Sequence, residues 1–209
     1  MKYTKVPSST FQQLQLNAGM LLTSFTPSTA TVSDSAIFAA TSGGVTFNSG
    51  PQFEDYGEDI DNVPANTKQL KVLKYYDVHL TGTAKTVNAD TLERLIAACD
   101  KTTASSVDKF TPRQGMMDSG TGGDFADIWW VGDYSDKNGA TNGGYLAIRL
   151  IDAANTGGFQ VKSNDDGKGD FAFDFQAHYD LDDPDTVPFE VYLKAGTAEP
   201  TSSGTGTGN

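Results

Sequence analysis

The chain is short of cysteine, of histidine and of positive charge. It has one cysteine, Cys99, two histidines, and 15 Lys and Arg against 27 Asp and Glu, a formal net charge of −12 over 209 residues. A single cysteine leaves no intrachain disulfide. A surface this acidic adds repulsion to any phosphate field, which argues against binding nucleic acid and against docking on an anionic membrane. Long apolar runs are also missing: none approaches the ~18 residues that a membrane helix needs. The opening MKYTKVPSSTFQQLQ has no apolar segment of the kind a secretory leader carries, so the expectation is a chain made and kept in a cytosol-like compartment. Hydrophobic residues make up only 37% of the chain, but 12 Phe, 8 Tyr and 2 Trp supply large areas to bury. Together these imply one sizeable domain whose core is diluted by polar loops and 22 glycines.

Signals for chemistry are equally sparse. There is no GxSxG elbow, no GxGxxG after a strand and no phosphate-loop lysine. His79 and His178 each fall on the polar side of a predicted strand; they are weighed as a shared zinc site, but spacing places no third ligand. FEDYGEDID does not follow the register of a calcium loop, which needs alternating oxygen ligands, a central Gly and a closing Glu. NDDGKGD (164–170) sits between two alternating segments and reads as a hairpin turn. Cys99 lies on an apolar helical stripe, where a thiol behaves as a small hydrophobe. The expectation is a protein that is not an enzyme, with no catalytic residue, no metal and no cofactor.

Three parts follow from the pattern: an N-terminal arm (1–11), a β domain (12–196) and a flexible Ser/Gly/Thr-rich tail (197–209). Leu14, Leu16, Ala18 and Met20 alternate with polar or small residues and predict a first strand running into Leu21–Leu22. A ribbon is expected over about 45–56. KQLKVLK (68–74) spaces Lys68, Lys71 and Lys74 three apart, which suits a short helix or a loop. Tyr76, Val78 and Leu80 alternate as a half-buried strand. The one helix is expected at about 89–100, with Leu92, Leu95, Ile96 and Cys99 forming one stripe and Asp90/Glu93 at capping-box spacing. Residues 102–123 read as a long polar loop, mobile in the monomer along with the arm and the tail. FADIWWVGDY and YLAIRLIDA predict a hairpin, as do GGFQVKS and DFAFDFQAHYDL, with turns at Asn138–Gly139 and Asp166–Gly167. In 170–181, Phe171, Phe173, Phe175, Ala177, Tyr179 and Leu181 share one face. PFEVYLKA (188–195) is a last strand. The class is mainly β (α+β), a β-sandwich or open barrel with one flanking helix.

Two kinds of surface stand out. Glu54, Asp55, Glu58, Asp59 and Asp61 crowd eleven residues, and Lys68, Lys71 and Lys74 follow closely. Opposite-sign patches on one chain suit head-to-tail association, so these eight are candidate subunit-interface residues. Trp129 and Trp130 join them, because strict alternation turns one ring outward, as an oligomer contact or a sugar-stacking platform. Polar positions on alternating strands form the second surface: Asp174, Gln176 and Asp180, or Asp77 and Thr81.

LQLNAGMLLTSF (14–25), FEDYGEDIDNVP (53–64), DIWWVGDYSDKNG (127–139), NTGGFQVKS (155–163) and DTVPFEVYLKAG (185–196) together resemble the major tail, or tail tube, proteins of long-tailed, siphovirus-type phages and prophages of Firmicutes. The resemblance spans about 11–196 and carries no catalytic residues. It implies a structural virion protein that self-assembles in the host bacterial cytoplasm into stacked hexameric rings. DNA passes through the bore on ejection without specific binding. It also implies neighbours in the tail: a tape measure, a tail terminator and a distal tail protein. Under that reading Asp174, Gln176, Asp180, Asp77 and Thr81 are candidates to line an acidic channel, while the run at 54–61 lines the bore or meets the lysines of the next subunit. The alternative is a glycan-binding β-sandwich, a decoration or adhesion module using the outward tryptophan.

Overall fold

A computed structural model describes residues 6–7, 10–134, 143–163, 165 and 167–196, apart from the side chains of residues 11 and 12. Most of the expected N-terminal arm, the turn at Asn138–Gly139, Asp166 and the tail after 196 lie outside the described residues. The fold is mainly β with one flanking helix. The strands are β1 (Met20–Leu22), β2 (Ile37–Ala39), β3 (Thr41–Asp55), β4 (Lys71–Ala84), β5 (Cys99–Ala104), β6 (Val107–Pro112), β7 (Ala126–Tyr134), β8 (Gly144–Asn155), β9 (Gln160–Lys162), β10 (Asp170–Gln176) and β11 (Phe189–Lys194), with α1 at Ala89–Ile96.

The strands form one antiparallel path, β2-β1-β7-β8-β10-β4-β3, with β11 beside β8 and β9 beside β10. The path bends at β8. Residues 144–150 of β8 pair with β7 and β11, whereas Ala154 and Asn155 pair with β10. Between these stretches Asp152 takes φ 48°. A left-handed residue kinks a strand, and such a kink lets one strand serve two layers. The main core lies between the layers: Leu21, Phe38, Ile128, Trp130, Ile148 and Leu150 meet Val78, Leu80, Phe173 and Phe175. Strict alternation in β4 and β10 explains this, since every second side chain reaches the same face.

Several sequence expectations are corrected. The first strand is only three residues long. Its approach turns at Asn17, whose Oδ1 accepts from Gly19 N (3.0 Å) and Asp133 N (3.2 Å). Gly19 has φ 72°, and a Cβ there would sit 2.4 Å from the Trp130 ring, so glycine is required twice over. The helix runs over 89–96, not 89–100. Its cap is Asn88, whose side chain accepts from Thr91 N at 2.8 Å, and Asp90 lies inside the first turn. Leu95 is fully buried, and Cys99 is buried at the start of β5.

The polar stretch 102–123 is not one loop. β5 and β6 pair over its first part, joined by Ser105 (φ 50°) and Ser106 (φ 63°). Two consecutive positive φ values match the twist of a tight hairpin, although Asn-Gly or Gly-Gly normally supplies them. The strand predicted over 170–181 stops at Gln176. Phe173, Phe175 and Ala177 do face the core, but Tyr179 is exposed and Leu181 is 92% exposed.

Candidate functional site

β3 and β4 pair along nearly their whole length, from Thr41↔Ala84 to Asp55↔Lys71. β10 covers only the inner part, its last partner being His79 opposite Gln176. Among the described residues, no further strand lies beside the hairpin beyond Tyr76, and it projects as an arm ending in the loop 56–70. The segment KQLKVLK is therefore neither helix nor loop throughout: Lys68 is in the loop, and Lys71 and Lys74 are in β4. Cross-strand hydrogen bonds outweigh the three-residue spacing.

The acidic run forms the far end of β3 and the tip of this arm. Asp55 closes the loop: its Oδ1 accepts from Gly57 N (2.9 Å) and its Oδ2 from Asn66 N (2.7 Å). Those two backbone donors hold its carboxyl below the usual range. Lys71 Nζ donates to Asn66 Oδ1 (3.0 Å) and lies 5.4 Å from the centre of the Phe53 ring. Lys74, the extra residue of a bulge opposite Gln52–Phe53, pairs with Glu54 of its own chain and sits over the Tyr56 ring. The Glu54 carboxylate raises the Lys74 ammonium above its ordinary value. The pairing expected between copies is thus met, for Glu54 and Lys74, inside one chain. Glu58, Asp59, Asp61 and Lys68 are exposed and make no ion pair among the described residues.

The arm also carries apolar side chains in water. Phe53, Tyr56, Ile60, Val72, Leu73 and Tyr75 are all exposed. Scattered exposed apolar residues are ordinary, but these six gather on one projecting hairpin. Sequence reading saw the charges here and missed the hydrophobes, because Phe53 and Tyr75 occur in strands whose inner halves turn theirs toward the core.

Trp129 and Trp130 do alternate, yet neither faces water. Trp130 enters the main core and donates its Nε1–H to Ala18 O at 2.9 Å. Trp129 belongs to a second cluster on the opposite face of the same sheet, with Leu22, Phe25, Val131 and Ala147. Phe25 meets it edge-on at 5.6 Å, Tyr192 stacks on it at 5.6 Å, and the Arg149 guanidinium lies 5.6 Å away. Asp127 and Glu190 hold Arg149 there. The expectation of an outward ring is overturned because the Ser/Thr/Pro segment after Phe25 folds back as a cover. The sugar-stacking platform goes with it.

The polar strand positions are brought together better. Asp174 lies opposite Thr81, and Gln176 opposite His79. Asp77, Thr81, Asp174 and Gln176 share the outer face of the β10-β4-β3 layer, beside Thr46 and Asn48 of β3. Gln176 Nε2 donates to Asp77 Oδ1 at 3.0 Å. His79 Nδ1 is 2.7 Å from Asp174 Oδ1, and Nε2 is 3.1 Å from Asp77 Oδ1. Asp180, grouped with these by alternation, is elsewhere: it follows the end of β10 and lines a small cavity with Asp152, His178 and Asp183.

The two histidines do not meet. His178 donates from Nδ1 to Asp152 O (3.0 Å) and packs on the Phe125 ring. Among the described residues no group of three His, Cys, Asp or Glu is disposed to hold a metal. A cavity of about 530 Å³ lies between α1, the β5–β6 hairpin and the loop before β7. Asp90, Glu93, Asp118, Arg94 and Arg113 are among its lining, and Arg113 is already paired with Asp100 and Asp124. Burial raises the Cys99 thiol at its edge, as expected for an inert core cysteine. No helix among the described residues is long and apolar enough to cross a membrane. No protein-family model and no curated protein matches the chain.

Proposed function

We propose that this chain is a structural subunit of a phage tail tube, acting by self-assembly and performing no chemistry. The projecting β3–β4 arm carries the reading. An exposed strip of Phe53, Tyr56, Leu73 and Tyr75 among charges is a surface to be covered by another copy, while the arm's root stays anchored in a complete core. A contact made by an arm on one side and a body on the other is heterologous, the kind that closes into rings and repeats along an axis. The resemblance supplies the form: stacked hexameric rings in a virion tail assembled in the host cytoplasm, contacting tape measure, terminator and distal tail proteins.

The polar face of β4 and β10, with Asp77, Thr81, Asp174 and Gln176, is the proposed channel lining. It presents carboxylates, no lysine among its paired positions, and one histidine, His79, whose ring is enclosed by two of those carboxylates; a moving polyanion is slowed by every unneutralised cation that faces it. Concentrated purified protein viewed by negative-stain electron microscopy is expected to form rings or tubes. Monodisperse, featureless monomer at all concentrations overturns the proposal.

A further inference from the structure

The root of the arm holds a three-membered cluster, two carboxylates of the proposed channel face and a histidine to which the assembly reading gives no role. His79 is the last β4 residue paired with β10, three residues inside Tyr76, beyond which the arm projects. Its ring lies between two carboxylates, one on each strand side: Asp174 from β10 and Asp77 from β4 itself. β3 offers only Thr46, Asn48 and Gly50 opposite Thr81, His79 and Asp77, none of which titrates. Gln176 of β10 is neutral and is engaged with Asp77. No cation from any of the three strands faces the ring.

The geometry limits the protonation state. A carboxylate accepts hydrogen bonds and donates none, whereas neutral imidazole has one N–H and one lone pair. With an oxygen at 2.7 Å from Nδ1 and another at 3.1 Å from Nε2, neutral His79 would set a lone pair against a lone pair. Only the imidazolium donates to both.

We propose that His79 is a proton-operated clamp at the root of the arm. As imidazolium it ties Asp77 to Asp174, holds β4 against β10 and leaves the cluster with one net negative charge. On losing its proton it keeps the shorter bond to Asp174 and releases Asp77, so the cluster carries two negative charges and the arm root loosens. Asp77 is also the more exposed of the two carboxylates, at 46% against 33%, which favours its release to water.

Burial of the ring works against its charge, but the two carboxylates outweigh it and hold the imidazole above its ordinary 6.5. A histidine raised in the folded state contributes stability that is complete below the unfolded value and is lost as pH climbs through the folded one. The switch therefore operates above 6.5.

NMR titration of the full chain tests this directly, with His178 as the internal comparison. The His79 midpoint is expected above 6.5, with both ring nitrogens protonated below it, and Asp174→Asn should lower it by about one unit. Hydrogen exchange supplies a second readout. After correction for the intrinsic pH dependence, amides of 71–77 should exchange faster at about pH 9 than at about pH 6 in the native chain, and equally at both in His79→Gln. A midpoint at or below 6.5, a midpoint unmoved by Asp174→Asn, or parallel exchange in native and His79→Gln chains overturns the clamp. These measurements read the isolated chain, so failure to form tubes leaves them intact.

Discussion

The β3–β4 hairpin is one continuous ladder with two unlike halves. In the inner half, Val78, Leu80 and Ala84 are buried, and every second residue of β4 faces the core. In the outer half, Lys71 to Tyr75 are all exposed, and so are Pro51 to Glu54 across from them. β3 and β4 pair through both halves, but only in the inner half does β10 join β4 and a second layer lie underneath. An inner leucine does thermodynamic work for the monomer, whereas an outer leucine contributes little until something covers it. On the proposed reading, stability and assembly are separated along a single pair of strands, and substitutions on either side of Tyr76 should divide the two properties.

The largest contrast is expected between leucines only seven residues apart. Leu80→Ala removes a fully buried side chain and should cost about 2–5 kcal/mol in urea denaturation. Leu73→Ala, on the exposed arm, should stay within about 0.5 kcal/mol. Equal losses would mean that the arm is packed in the monomer. Next, the combined Phe53→Ser, Leu73→Ser and Tyr75→Ser variant should unfold at the native temperature yet remain monomeric in sedimentation runs at concentrations where the native chain is expected to assemble. Tubes of normal appearance from this variant would remove the arm from the interface.

A smaller, opposite effect belongs to the bend in β8. Asp152 combines φ 48° with a carboxyl raised by burial and by Asp127 and Asp180. Glycine relieves the backbone strain, so Asp152→Gly should stabilise the chain by about 1 kcal/mol. The smallest effect is reserved for the arm's own ion pair. Lys74→Met should leave the unfolding midpoint unchanged, since an exposed pair in water contributes little. A measurable drop would show that the Glu54–Lys74 contact is sheltered.

Legibility in the sequence followed the strength of the pattern. The hairpin of β7 and β8, the Phe173/Phe175 face and the Leu95 stripe were readable, because periodic burial writes itself into periodic hydrophobicity. The β5–β6 hairpin was not, since CDKTTA and VDKFTP carry no apolar alternation and the turn uses Ser-Ser instead of a glycine. Four of the five polar positions chosen by alternation do share a face. Asp180 does not, because β10 ends at Gln176 when the chain turns toward Asp152. Trp129 defeated the rule of alternation in a different way. Its direction was right, but a segment more than 90 residues earlier covers it.

The sequence by itself determined the class of fold, the acidity, the single helix and which strand positions are polar, since all of these depend on the order of residue types over short distances. Only the tertiary structure decided that the hairpin outruns its sheet, that His79 stands between two carboxylates, and that both tryptophans are buried. Each of those depends on which distant segment arrives as a neighbour. Local pattern carries no record of that, because a strand's side chains alternate in the same way whether they meet a core, a loop or water.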